Sequence, residues 1–221
     1  MAGEKGTAMI PLLHDFDGET VLVFGGGPVG ARKARRFARE ARVVVVSPGF
    51  ADADFGGARL VGGAPDPDEV AGWFDRTDPA LAVAATDDAD VNAAIERAAR
   101  ERGVLVNRAD ESGPRRAGSV VVPATVRDDP VVVAVATGAK SPALSRSLRE
   151  RLEPTVANAG AMADLTADLR AELGDRPADQ RRGALRAVVR SDAVWAALED
   201  PDESAREAAA AVVADVTGQP P

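Results

Sequence analysis

A short run of strongly β-forming residues, Thr20 to Phe24 (TVLVF), leads without a break into Gly25-Gly26-Gly27-Pro28-Val29-Gly30 and then into a helix-forming stretch. That segment contains G-x-G-x-x-G with Gly25, Gly27 and Gly30 in register, in the strand-then-helix setting the pattern requires. Each glycine has a physical task. Gly25 permits a tight turn, Gly27 lets backbone approach a pyrophosphate, and Gly30 allows the helix to pack closely on the strand. The helix N-terminus then supports the anion. The alternative is a glycine-rich turn without a ligand.

Around this feature the first half of the chain alternates apolar runs with amphipathic stretches, the pattern of βαβ units on a parallel sheet. A helix is predicted over Val29 to Ala41, followed by strands at Val43 to Val46, Ala58 to Val61 and Ala80 to Ala85. A helix at Asp90 to Gly103 and a fifth strand at Val104 to Val106 complete a doubly wound, Rossmann-type sheet. Near residue 113 the pattern changes. Ser119 to Val126 and Val131 to Ala136 read as β runs flanking a hairpin turn at Arg127-Asp128-Asp129-Pro130. From Ser141-Pro142, a good helix start, the sequence is almost wholly helical, with Leu144, Leu148 and Leu152 at i, i+4, i+8. Further helices are predicted over 155–173, 181–198 and 202–215. The expected organisation is a nucleotide-binding domain over 1–113, a small β segment over 114–145 and a helical C-terminal domain over 146–221.

In such a sheet, ligands collect at the carboxyl ends of the strands. The second strand ends in Val46-Ser47-Pro48-Gly49, without the acidic residue that many sites use for the ribose of NAD and without an obvious Arg for a 2′-phosphate. Ser47 and the loop amides are then the candidates for ribose contact. The fourth strand opens into Thr86-Asp87-Asp88, for which cofactor contact and helix capping are both open. The fifth opens into Asn107-Arg108-Ala109-Asp110. Asn107 is a candidate for cofactor contact or for loop ordering. Asp110 lies outside any clear helix start, beside the expected nicotinamide crevice, and a free carboxylate of ordinary pKa about 3.9 is ionised and able to act as a base. The alternative is a carboxylate that only orders its loop.

Composition removes several classes of function. The chain has no Cys, so thiolate nucleophiles and Cys-ligated metals are excluded, and no Tyr, so the Tyr-Lys pair of short-chain dehydrogenases is excluded. His14 is the only His, and one imidazole does not make a transition-metal site. A net charge of −8 argues against a nucleic-acid partner. No run approaches the roughly 18–20 apolar residues of a membrane span, and the first ten residues lack a signal-peptide pattern, so a cytoplasmic protein is expected.

Taken together, Gly25 to Lys33, Ala84 to Asp88, Val106 to Asp110 and Thr137 to Leu144 resemble, in sequence and in order, the precorrin-2 dehydrogenase family, which includes the N-terminal module of siroheme synthases. The resemblance implies NAD-dependent oxidation of precorrin-2 to sirohydrochlorin on the route to siroheme, with iron insertion in the same cleft in some members. It also implies a homodimer whose central β segment, here 114–145, is a dimerisation segment that crosses between subunits. Carried over by position, Pro28, Val29, Pro48 and Gly49 would contact NAD, and Asp110 matches the family's key aspartate. Ser141 matches a serine near the cleft that some members phosphorylate. Gly30 stands where the siroheme-synthase module typically has Ala, a difference expected to be harmless. The substrate carries several carboxylates, so an acidic protein needs local cations to receive it. Arg115 and Arg116, before the hairpin, and Lys140 and Arg146, near the helix start at Ser141, are the candidates. A ligand-sensing NAD-binding module without turnover is the rival reading.

Overall fold

The computed structural model describes residues 10–111, 116, 118–138 and 140–218. The chain divides into two compact units, one running to Val122 and including Gly138–Lys140, the other formed by Pro123–Thr137 and the residues from Ser141 onward. The hairpin thus groups with the C-terminal helices.

The first unit follows the expected βαβ order: β1 (Thr20–Phe24), α1 (Pro28–Phe37), β2 (Arg42–Ser47), β3 (Arg59–Gly62), α2 (Val70–Thr77), β4 (Leu81–Ala84), α3 (Ala89–Glu101) and β5 (Leu105–Arg108). The five strands are parallel in the order β3-β2-β1-β4-β5. β1 is central, with Leu22 opposite Val44 on one side and Ala82 on the other, and all five of its residues are buried. Because side chains alternate across a strand, Leu22 and Phe24 pack with Phe74 and Ile95 beneath α2 and α3, while Val21 and Val23 pack with Ala31 and Ala34 of α1. A sheet covered on both faces needs the near-continuous apolar strands this sequence supplies.

Two stretches differ here from the sequence-based expectation, and a third differs among the C-terminal helices. α2 was not predicted: VAGWFDRT contains a glycine, two β-branched residues and two aromatics, a weak helix former, and burial of Val70 and Phe74 one turn apart holds it. The predicted strand at 119–126 is in fact two features. Gly118 to Val120 lines the outer edge of β5, where the Val106 amide donates to the Gly118 carbonyl (3.2 Å) and the Val120 amide donates to the Val106 carbonyl (2.8 Å). Regular pairing resumes only after Pro123, which has no amide hydrogen to give a ladder.

In the second unit β6 (Ala124–Asp128) and β7 (Val131–Val135) form the expected antiparallel hairpin, closed by a cis Asp129–Pro130 turn. Five helices follow: α4 (Pro142–Val156), α5 (Ala159–Glu172), α6 (Ala178–Val189), α7 (Asp192–Glu199) and α8 (Ala205–Thr217). The single helix predicted over 181–198 is broken because the Ser191 hydroxyl accepts from the Val194 amide and starts a new helix. Leu169, Leu173, Val188, Val194 and Val213 form the core of this unit. The Asp128 carboxylate accepts from the Gly160 amide (2.8 Å), tying the start of α5 to the hairpin.

Candidate functional site

The strand order reverses at β1, whose two sheet neighbours are β2 and β4, and the glycine loop leaves the carboxyl end of that strand. This is where open α/β sheets place ligands. Gly25 has φ of 111°, a conformation L side chains rarely adopt, and a Cβ there would collide with the Ala85 carbonyl. A Cβ on Gly30 would strike the Gly25 carbonyl, so α1 leans directly on the loop. The Gly30 of this chain is therefore part of its loop geometry, and an Ala here would require the loop to shift. Gly27, in contrast, faces open space, with no atom within 4 Å of its notional Cβ.

Helix α1 begins at Pro28 with Gly27 as its cap residue, no side-chain cap and no acidic residue in its first turn. Its free amide ends and dipole are thus available to an anion. Val29 and Phe50 are each 36% exposed. The loop after β2 packs beside the glycines, with the Ala51 amide donating to the Gly26 carbonyl (2.8 Å). Ser47 is buried at the end of β2, whereas Pro48 and Gly49 are exposed.

After β4, Thr86 and Asp88 are committed to local structure. The Thr86 hydroxyl donates to Asn92 Oδ1 (2.8 Å), and Asn92 Nδ2 donates back to the Thr86 carbonyl (2.9 Å). Asp88 caps α3, accepting from the amides of Asp90 (2.8 Å) and Val91 (3.0 Å). Asp87 is exposed between them. Asp88→Ala is expected to destabilise the fold by about 1 kcal/mol, read as a fall of about 2–4 °C in the thermal midpoint.

After β5, Asn107 is 3% exposed; its Nδ2 donates to the Val120 carbonyl (2.8 Å), but its Oδ1 is buried with no hydrogen-bond partner. A buried acceptor of this kind is costly unless a ligand or water satisfies it. The orphaned oxygen, the uncapped helix start and the open face of Gly27 together fit a nicotinamide dinucleotide.

Asp110 is not a free carboxylate. Arg108 Nε and Nη2 donate to its two oxygens at 2.9 and 2.7 Å. The same guanidinium donates through Nη1 to Glu96 Oε2 (2.9 Å) and pairs with Glu111 (2.7 Å). Burial pushes the Asp110 carboxyl up, but the Arg108 hydrogen bonds, its own backbone amide, the guanidinium charge and Asn92 more than reverse this, leaving it below the usual carboxylate range. It is an anion of low basicity, a correction to the expectation of an unpaired base. The bidentate bonds to Asp110 raise the already high pKa of Arg108 against the opposing effect of burial. The sequence pointed to Asp110 but not to Arg108, Glu96 or Asn92. A charged residue at 96 within the apolar run Val91, Ala94, Ile95, Ala98 and Ala99 was the signal that a buried partner existed.

The candidate substrate residues are spread over both units. Arg116 is exposed, 3.9 Å from Glu96, and Lys140 is exposed. Ser141 caps α4, its hydroxyl accepting from the Leu144 amide (3.1 Å), and the exposed Arg146 pairs with Glu150 (3.1 Å). Arg115 lies outside the described residues. Among the described residues no helix is long and apolar enough to cross a membrane.

A family model described as putative NAD(P)-binding matches residues 12–124. A precorrin-2 dehydrogenase of Methanosarcina barkeri is 32% identical over 224 residues, covering 95% of each chain. Siroheme synthase 2 of Aeromonas hydrophila is 38% identical over 198 residues, which span 84% of this chain and 37% of that one. The chain thus corresponds to little more than a third of that siroheme synthase. The solved structure of SirC, precorrin-2 dehydrogenase, shares the fold with a TM-score of 0.68 at 19% identity, over 95% of this chain and 100% of that one. On its alignment over nearly the whole length with the Methanosarcina barkeri relative, the chain belongs to the precorrin-2 dehydrogenase family, with an NAD(P)-binding domain at its N-terminal end.

Proposed function

We propose that this chain is an NAD-dependent oxidoreductase that converts precorrin-2 to sirohydrochlorin in tetrapyrrole biosynthesis. The observation that carries this reading is the anion-ready glycine loop at the sheet's switch point, with Asn107 and Asp110 on the carboxyl side of β5 in the same unit. Gly25, Gly27, Pro28, Val29 and Gly30 receive the pyrophosphate, and Ser47, Pro48 and Gly49 border the adenosine ribose. NAD is favoured over NADP because Ser47-Pro48-Gly49 offers no cation for a 2′-phosphate.

A bound nicotinamide would supply the hydride acceptor for oxidation of the macrocycle, which also releases a proton. Asn107 Oδ1 offers an acceptor that orients the carboxamide. Asp110, held ionised, stabilises the positive charge that grows on the macrocycle as the hydride departs. Arg115, Arg116 and Lys140 of the first unit receive the substrate carboxylates, and the β6–β7 hairpin joins two subunits in a homodimer. Metal insertion is not assigned to this site, because Arg108 engages both Asp110 oxygens.

Purified protein given precorrin-2 and NAD⁺ is expected to form NADH and sirohydrochlorin in equal amounts, with NADP⁺ a poorer acceptor. Added Fe²⁺ is expected to enter sirohydrochlorin no faster than in a control without protein. NAD binding without turnover would instead establish a ligand-sensing module.

A further inference from the structure

Arg108 and Glu96 carry charge into the first unit, at 6% and 9% exposure, and neither is within reach of bulk solvent over most of its surface. Buried ion pairs contribute little net stability compared with apolar residues of the same shape, so stability alone is a poor account of the pair. What the pair does provide is geometry. Three guanidinium nitrogens are each assigned: Nε and Nη2 grip the two oxygens of Asp110, and Nη1 is held by Glu96 from the middle of α3. Glu96 is itself braced by Arg100 (3.2 Å) one helical turn on. Backbone register fixes the other end, since Arg108 closes β5 opposite Ala84. The Asp110 side chain keeps 21% of its surface exposed, enough for one carboxylate edge to meet a ligand while the other is occupied.

We propose that Arg108 is the positioning residue for Asp110, with Glu96 as its buried anchor, so that the carboxylate is presented to the substrate in one fixed plane. This rests on the reading of Asp110 given above. A bidentate fork restricts rotation of a carboxylate in a way a single point charge does not, so Lys at 108 is not an equivalent replacement. The charged group on Asp110 is Arg108; Glu111 on the following loop and Glu96 on α3 pair with Arg108, and Arg100 on α3 and Arg116 beyond the loop pair with Glu96.

The test is the pH profile of precorrin-2 oxidation for Arg108→Lys, Arg108→Gln and Asp110→Asn, with NAD⁺ affinity measured on each. Arg108→Gln is expected to lower kcat by about a hundredfold, and Arg108→Lys by about tenfold, with NAD⁺ affinity within about twofold of the parent. The active form is the carboxylate, so loss of the guanidinium raises the pH below which activity falls; in Arg108→Gln the acid limb moves toward neutral, and in Arg108→Lys it stays near the parental position. Where Arg108→Gln does not fold, the kcat of Arg108→Lys decides. An unchanged kcat in Arg108→Lys together with an unmoved acid limb in folded Arg108→Gln would overturn the positioning role while Asp110→Asn remains inactive. Full activity of Asp110→Asn would overturn the reading of Asp110 itself, and the positioning role with it.

Discussion

Asp110→Asn is expected to lower kcat for precorrin-2 oxidation by about a thousandfold, while NAD⁺ affinity stays close to that of the parent protein. Asn preserves the size of the side chain and retains one oxygen for Arg108, but its amide NH2 meets the second guanidinium donor, so a lower thermal midpoint is expected beside the loss of turnover. What disappears is the negative charge opposite the developing cation. Steady-state turnover with both substrates, alongside calorimetric NAD⁺ binding, checks it. Retained turnover would mean that the carboxylate only pins the loop. The pH dependence of the parent sharpens the prediction. Because Arg108 holds Asp110 below the usual carboxylate range, activity is not expected to fall through titration of this group in the range where ordinary carboxylates titrate, but only at lower pH. A weak base that is always ionised suits charge stabilisation better than proton abstraction.

The second large effect separates folding from binding on one loop. Gly25→Ala forces an L residue to φ of 111° and drives its Cβ into the Ala85 carbonyl, backbone that cannot swing aside. Strain and collision together are expected to cost about 3 kcal/mol or more, seen as a lower denaturant midpoint. Gly27→Ala meets nothing in the folded chain and is expected to change stability by no more than about 1 kcal/mol. Its methyl group occupies the space through which the pyrophosphate approaches, so NAD⁺ affinity is expected to fall by about a hundredfold. Equal affinity in Gly27→Ala and the parent would remove the pyrophosphate from this loop.

The parallel sheet and its glycine loop were legible because their signals are local. TVLVF followed by three glycines, or RVVVVS after an amphipathic helix, states its structure within a few residues. The start of α4 at Ser141-Pro142 was legible for the same reason. α2 was not, since its stability comes from Val70 and Phe74 lying under the sheet and not from its own propensities. The state of Asp110 was not legible either. It depends on α3 bringing Glu96 beside β5, across twelve residues of chain, so that Arg108 is held among three carboxylates, those of Glu96, Asp110 and Glu111. Thr86, at a strand end where cofactor contact and helix capping were both open, was equally illegible: Asn92, six residues away, accepts from its hydroxyl.

The first helix opens without a side-chain cap and without an acid to meet its dipole. In a protein with no ligand to bind, that is a small standing instability. Here it makes folding and cofactor occupancy two readings of one equilibrium. A dinucleotide seated on those amides supplies the missing cap, and ligand at a hundred times its Kd adds about 2.7 kcal/mol to the folded state. The supply of oxidised cofactor would then govern how long the enzyme survives as well as how fast it turns over.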